Sequence, residues 1–379
     1  DLTMTWTNEF LDHKRSQGDP IADTLIANLI SQNGESASRN IFDKLISNID
    51  LPVQELPDGI QEFMQVTAQL PDWLTDDDLK KSNRFFVDHG PKLLLLLYFK
   101  SLPLLYSNAK GAPVLVKTSR LTHDTESMEI FARRIAETGQ FLLNVMANDN
   151  FTENNMAINS IRKVRLIHAA IRHFIAKEWD SEQLGTPINQ EDMVLTLMTF
   201  SISLIDGLGQ LLISENETLI QAYFDRWRAI GLLLGIDSDL IPETMEEGRL
   251  LLNTVLERNS ATSDAGQLLT KALIEFSKNS IPGKIMDITP ESLITYFTGR
   301  EMASQLGVST QTGCLGMIVP SFLASLFNIG ENLEGNTSKI HYISDRLSSK
   351  LTQAMVNYFD KYKKRNFIIP TEFEAKWKG

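Results

Sequence analysis

Arg165, His168 and Arg172 offer the most specific chemistry in the chain. They lie three and four residues apart in the stretch NNMAINSIRKVRLIHAAIRHFIAK at Asn154–Lys177. Its apolar residues Ile158, Ile161, Val164, Ile167, Ala170, Ile171, Phe174 and Ile175 recur at helical spacing, so one face is core. Spacings of three and four each close almost one turn, and the two guanidinium groups and the imidazole therefore share a stripe. Such a set fits a haem: one neutral imidazole ligates the iron, small neighbours (Ala169 and Ala170) admit a flat ring, and arginines meet its propionates. His173 lies five residues on, about 140° around the helix, so one planar group could take only one of the two histidines. The plainer reading is a hydrogen-bonded boundary histidine between two surface arginines, and on residue pattern alone it is the commoner case.

A second constellation lies in DTESMEIFARRIAETGQFLLNVM at Asp124–Met146. Phe131, Ile135, Phe141, Leu142, Val145 and Met146 mark its apolar side, with Arg134 and Thr138 one turn apart on that side and Glu137 adjacent. Burying an arginine costs on the order of several kcal/mol unless it is paired. The partner would be Glu137, a propionate or a polarised substrate. An ordinary Arg134–Glu137 surface pair, worth under ~1 kcal/mol, is the alternative.

Other chemistries lose their usual support. The chain has no HExxH, no Walker A loop, no dinucleotide glycine fingerprint and no G-x-S-x-G elbow. Its six histidines (His13, His89, His123, His168, His173 and His341) are scattered, so a histidine-rich metal site would need distant segments. The only cysteine, Cys314, excludes an intramolecular disulfide, a cysteine zinc knuckle and a cysteine-ligated iron–sulfur cluster. A formal charge of −12 and the lack of a long basic stripe argue against a nucleic-acid partner, and Lys361–Arg365 is too short to change that. The apolar run Leu93–Phe99 is far shorter than the roughly 20 residues a membrane-spanning helix needs, so no membrane span is expected. One cysteine favours a cytoplasmic location, and a chain beginning at Asp1 leaves export with a processed N-terminus as the alternative. The oligomeric state is not legible.

The elements that must position these residues are helices. Starts are expected after Asp19-Pro20, after Thr75, near Asp124, near Thr152, after Asn189, after Ser214, after Pro242 and after Pro290, where capping residues, acidic first turns or early prolines occur. Gly90-Pro91, Gly111-Ala112-Pro113, Gly185-Thr186-Pro187 and Pro282-Gly283 read as turns. Strand-like alternation is confined to short stretches such as Val114–Lys117, enough for a lone hairpin at most. The expectation is all-α: a single large helical domain over residues 1–379, with a core over 90–310 flanked by helices in 1–89 and 311–379.

Several phrases, in order along most of the chain, resemble the latex clearing protein (rubber oxygenase) and MpaB-type oxygenase family. They are RSQGDPIAD at Arg15–Asp23, LPDWL at Leu70–Leu74, SLPLLY at Ser101–Tyr106, RRIAET at Arg133–Thr138, VRLIHAAIRH at Val164–His173 and YFDRWRAIGLLLGI at Tyr223–Ile236. The resemblance implies a globin-like haem-binding core and one haem b, with His168 as the iron ligand. It also implies dioxygen as co-substrate and an apolar, isoprenoid or alkene substrate, small or polymeric, lodged among apolar residues of the Phe131–Met146 and Met193–Leu212 helices. Rubber enzymes carry R-x-x-K-T on the side of the haem away from the histidine; here Arg134 and Thr138 match, and Glu137 replaces the lysine. A carboxylate cannot be the same cationic cap. The expectation is that Glu137 takes the acid–base role, with Arg134 holding it ionised and Thr138 donating a hydrogen bond to bound oxygen or water. Arg165, Arg172 and Ala169 would contact the haem. The rival expectations are a non-catalytic haem-binding or gas-sensing protein, and a haem-free helical lipid-binding or scaffold protein.

Overall fold

The computed structural model describes residues 6–47, 52–119, 127–147, 151, 156–280, 289–309, 345–346, 348–353, 356 and 373. Every regular element among them is helical, and the one β-type contact is an isolated antiparallel bridge between Asn108 and Ser260. The first eight helices are α1 (Asn8–Arg15), α2 (Pro20–Asn33), α3 (Glu35–Ser47), α4 (Asp58–Val66), α5 (Asp76–Leu96), α6 (Leu102–Ser107), α7 (Ala112–Ser119) and α8 (Ser127–Met146). They are followed by α9 (Met156–Ile175), α10 (Ser181–Leu184), α11 (Gln190–Phe200), α12 (Ile202–Gln210) and α13 (Glu217–Leu233). The last four are α14 (Met245–Asn259), α15 (Asp264–Ser280), α16 (Pro290–Thr298) and α17 (Arg300–Gln305).

The chain divides into two compact units. One comprises Asp1–Asn83, Phe141–Met198 and Gln221–Val255; the other comprises Arg84–Gln140, Thr199–Ile220 and Leu256–Gly379. In the first, α2 packs along α9. Ala22, Ile26 and Leu29 of α2 form a buried cluster with Phe42 of α3, Ile60, Phe63 and Met64 of α4, and Leu166, Ala169 and Ala170 of α9. Small side chains on both α2 and α9 let the two helix backbones approach closely. In the second, the buried run Leu93–Phe99 leads through a π-helical turn at Leu97–Ser101 into α6. Tyr98 donates its hydroxyl to the Ile135 carbonyl (2.9 Å), and Ser101 donates to the Thr199 carbonyl (2.6 Å).

Local capping chemistry places most of the helix starts. The Asp19 side chain accepts from the Ala22 amide with Pro20 at the first helical position, and Thr289 caps α16 ahead of Pro290. At α5, Thr75 and Asp78 cap each other reciprocally, the Asp78 amide donating to Thr75 Oγ1 and the Thr75 amide to Asp78 Oδ2. Two expectations are corrected. Gly90-Pro91 is not a turn: α5 runs through it, carrying Pro91 inside the helix and burying Leu93–Leu96. That burial outweighs the hydrogen bond proline forfeits. Val114–Lys117 is no strand either, because Pro113 falls in the first turn of α7, where a missing N–H costs nothing. The expected helix starts near Asp124 and Thr152, the Pro282-Gly283 turn, Cys314, His123, His341 and Lys361–Arg365 lie outside the described residues.

Among the described residues, one stretch, Gln190–Gln210, is long and apolar enough to cross a membrane. With 78% of its most apolar window buried inside the protein, it has the character of a core helix.

Candidate active site

His168 sits midway along α9 and is enclosed by protein. Burial, reinforced by the nearby Arg172 cation and opposed by Asp19, lowers its pKa to about 4. The ring is therefore neutral at pH 7, the form that ligates metals. Its Nδ1 is buried and makes no hydrogen bond, yet the residue keeps part of its surface accessible. His173 is exposed and stacks edge-on with Phe174 at 5.4 Å, so only the first histidine of the pair meets the requirements of a buried ligand.

The arginines on either side of His168 are committed to carboxylates that the sequence reading did not pair with them. Arg165 grips Asp19 with two parallel bonds, Nε to Oδ2 at 2.5 Å and Nη2 to Oδ1 at 2.9 Å, and both residues are buried. Arg172 donates Nε to Asp23 Oδ1 (2.8 Å) and Nη1 to the Ile188 carbonyl (2.9 Å). Its Nη2 is buried and without a partner. A third pair joins Arg15 to Glu191 (3.0 Å) and Asp192 (2.9 Å).

Each pair is roofed by a glycine. A Cβ on Gly235 would lie 2.6 Å from Arg165 Nε and closer still to Asp19 Oδ2. On Gly18 it would lie 2.6 Å from Asp23 Oδ2 and 3.0 Å from Arg172 Nε, and on Gly185 2.5 Å from Arg15 Cγ. Side-chain-free backbone is what these desolvated guanidinium groups require.

In the other unit, Arg134, Glu137 and Thr138 lie together on α8. Burial lowers the Arg134 pKa to about 10, with Glu137 and Tyr106 opposing the shift and Arg133 adding to it. Its guanidinium donates to the Leu115 carbonyl and, at 2.6 Å, to Thr118 Oγ1. Glu137 forms an ion pair with Arg133 (3.3 Å), one turn before it, and is a nearby charge to Arg134. Thr138 donates its hydroxyl to the Arg134 carbonyl (2.7 Å) and must rotate to donate elsewhere.

Ala169 is 1% exposed within the α2–α9 core, where its small side chain packs between the helices. The fork of Arg165 is filled by Asp19, leaving Arg172, through Nη2, as the arginine with a donor to spare. The sequence gives no sign of the partnerships of Asp19, Asp23 and Lys100. Asp19 and Asp23 are spaced four apart like neighbours on a helix face, but their partners are 146 and 149 residues away, a pairing no local pattern reveals. Lys100, in the π-helical turn, is buried and donates to Gln210 Oε1 (2.6 Å); burial lowers its pKa to about 8.

Among the described residues the regular elements are all helices, one of which carries the buried, neutral imidazole of His168 and another the Arg134, Glu137 and Thr138 set. Residues 97–315, more than half of the chain, match the profile of the family described as "ER-bound oxygenase mpaB/B'/Rubber oxygenase, catalytic domain". The chain belongs to this family and is an oxygenase. It is similar to the rubber oxygenase of Streptomyces sp. (strain K30), 22% identical over 297 residues that cover 77% of this chain and 71% of that protein. Its fold is that of latex clearing protein in the closed state, with a TM-score of 0.68 at 19% identity over 87% of this chain and 91% of that one.

Proposed function

We propose that the chain is a b-type haem oxygenase, that His168 carries the iron, and that the substrate is an apolar isoprenoid or alkene chain such as polyisoprene. The observation that supports it most is His168 itself: neutral at pH 7, with Nδ1 buried and unbonded in the middle of α9. The group fits the residues present. A porphyrin needs a single protein imidazole, and among the described residues no cluster of three or more His, Cys, Asp or Glu could hold a bare ion. Arg172 Nη2, buried and unpartnered, is the donor this reading assigns to a propionate oxygen. When bound, haem supplies the dioxygen chemistry.

The chain's own residues hold and orient it through His168, and the apolar body of the protein excludes water. Arg134, Glu137 and Thr138 are assigned to catalysis. Glu137, paired with Arg133, is the proton acceptor, and Thr138 is a hydroxyl donor after rotating off the Arg134 carbonyl. The likeness to a rubber oxygenase supports a polyprenyl substrate, and the glutamate where rubber enzymes carry lysine marks a different proton economy. Dioxygen uptake by the purified protein with short polyisoprene oligomers tests the reading. Uptake that yields carbonyl products and disappears on haem removal is expected; turnover that survives haem removal overturns it.

A further inference from the structure

We propose that Asp19 and Asp23, from the opening turn of α2, are positioning residues that fix the register of the iron ligand on α9; this rests on the assignment of His168 above. The apolar cluster between α2 and α9 holds Ala22, Ala169 and Ala170 beside Ile26, Leu29 and Leu166. Apolar packing is non-directional, and at the alanines it offers little to resist one helix sliding or turning by a residue. Each residue of slippage would carry an imidazole 1.5 Å along the axis and 100° around it. Something else must set the register.

The two ion pairs do so. They bracket His168, Arg165 three residues before it and Arg172 four after, and both reach carboxylates on the same first turn of α2. Those carboxylates are tied to one another, because the Asp19 amide donates to Asp23 Oδ2 at 3.0 Å. The surrounding backbone is shaped to the pairs. Gly235 and Gly18 leave out the side chains that would displace them. Ile188, a β-branched residue at φ 50°, holds a strained conformation in the segment whose carbonyl receives Arg172 Nη1. Gln190 stitches the frame together, donating to the Gly18 and Gly235 carbonyls and accepting from the Asp237 amide. Fixing register is the best-attested use of buried ion pairs, and Arg165–Asp19 is one; Arg172–Asp23 is buried on the arginine side, with the Asp23 side chain 36% exposed.

Three variants test this: Gly18→Ala, which crowds the Asp23–Arg172 pair without changing any charge; Asp19→Asn, which keeps the cap of α2; and Asp192→Asn, a control that weakens the Arg15 pair away from α9. The readouts are the rate of haem loss to an acceptor globin and the iron–histidine stretching band of the ferrous protein. Loss about 10- to 100-fold faster in the first two variants, with a shifted or broadened band, is expected, as for other residues that orient a metal ligand. Asp192→Asn should leave rate and band at their wild-type values. A wild-type band and rate in Gly18→Ala and Asp19→Asn, or an equal change in Asp192→Asn, overturns the inference alone. A wild-type protein without a Soret band overturns the haem reading and this inference together.

Discussion

Replacing Asp19 with Asn changes one charge while leaving the cap of α2 intact, since Asn caps as well as Asp. What it removes is the counter-charge of Arg165, whose side chain is 8% exposed against 3% for Asp19. Leaving one member of a buried pair uncompensated costs roughly 3–5 kcal/mol, and Asn still offers an oxygen, so about 3 kcal/mol is expected. That is roughly a hundredfold in the folding equilibrium of the unit. Trp6, Trp73, Trp179 and Trp227 all belong to that unit, so urea unfolding followed by tryptophan fluorescence reports on it. Asp239→Asn is the comparison: it weakens the Lys14 pair, whose Asp239 side chain is 54% exposed, and should cost under ~1 kcal/mol. Adding Arg165→Met to Asp19→Asn should recover much of the loss, because it removes the uncompensated buried cation. If Asp19→Asn costs no more than Asp239→Asn, the pair is not desolvated and the reasoning fails.

Lys100 gives the protein a rising stability between pH 8 and 10. The unfolded chain keeps this proton to about 10.5 and the folded chain only to about 8, so the unfolded state binds more protons in between and loses ground as pH climbs. Relative to Lys100→Met, the wild type should gain up to about 3 kcal/mol across that window, and a flat difference in urea midpoints would refute it. Glu137→Gln should lower turnover by about 10²-fold or more while leaving the haem spectrum unchanged, and full turnover would remove Glu137 from catalysis. Gly231→Ala would place a Cβ 2.5 Å from Leu197 Cδ2 and 2.8 Å from Ile241 Cδ1, an overpacking worth ~1–3 kcal/mol in urea unfolding; an unchanged midpoint would show that these side chains yield freely.

Helix starts at Asp19-Pro20, Thr75, Asn189 and Pro290 are legible in the sequence because caps are made by residues within three or four positions. Gly90-Pro91 misleads for the opposite reason: its helix is held by the burial of Leu93–Leu96, a tertiary fact. The stripe of Arg165, His168 and Arg172 is legible as geometry, and periodicity alone separates His168 from His173. What the arginines bind is not legible, since Asp19 and Asp23 come from a segment far away in the chain. On α8 the error is smaller. Both Arg133 and Arg134 lie within a turn of Glu137, and the i, i+4 neighbour makes the pair while Arg134 turns toward Leu115 and Thr118.

The imidazole at 168 is the proposed protein ligand of an iron porphyrin. The absorption spectrum of purified wild type beside His168→Gly, with and without added free imidazole, tests it most directly. A Soret band in wild type, lost in the variant and restored by imidazole, is the predicted result. A Soret band of full strength in His168→Gly without imidazole, or none in wild type after incubation with haem, contradicts it.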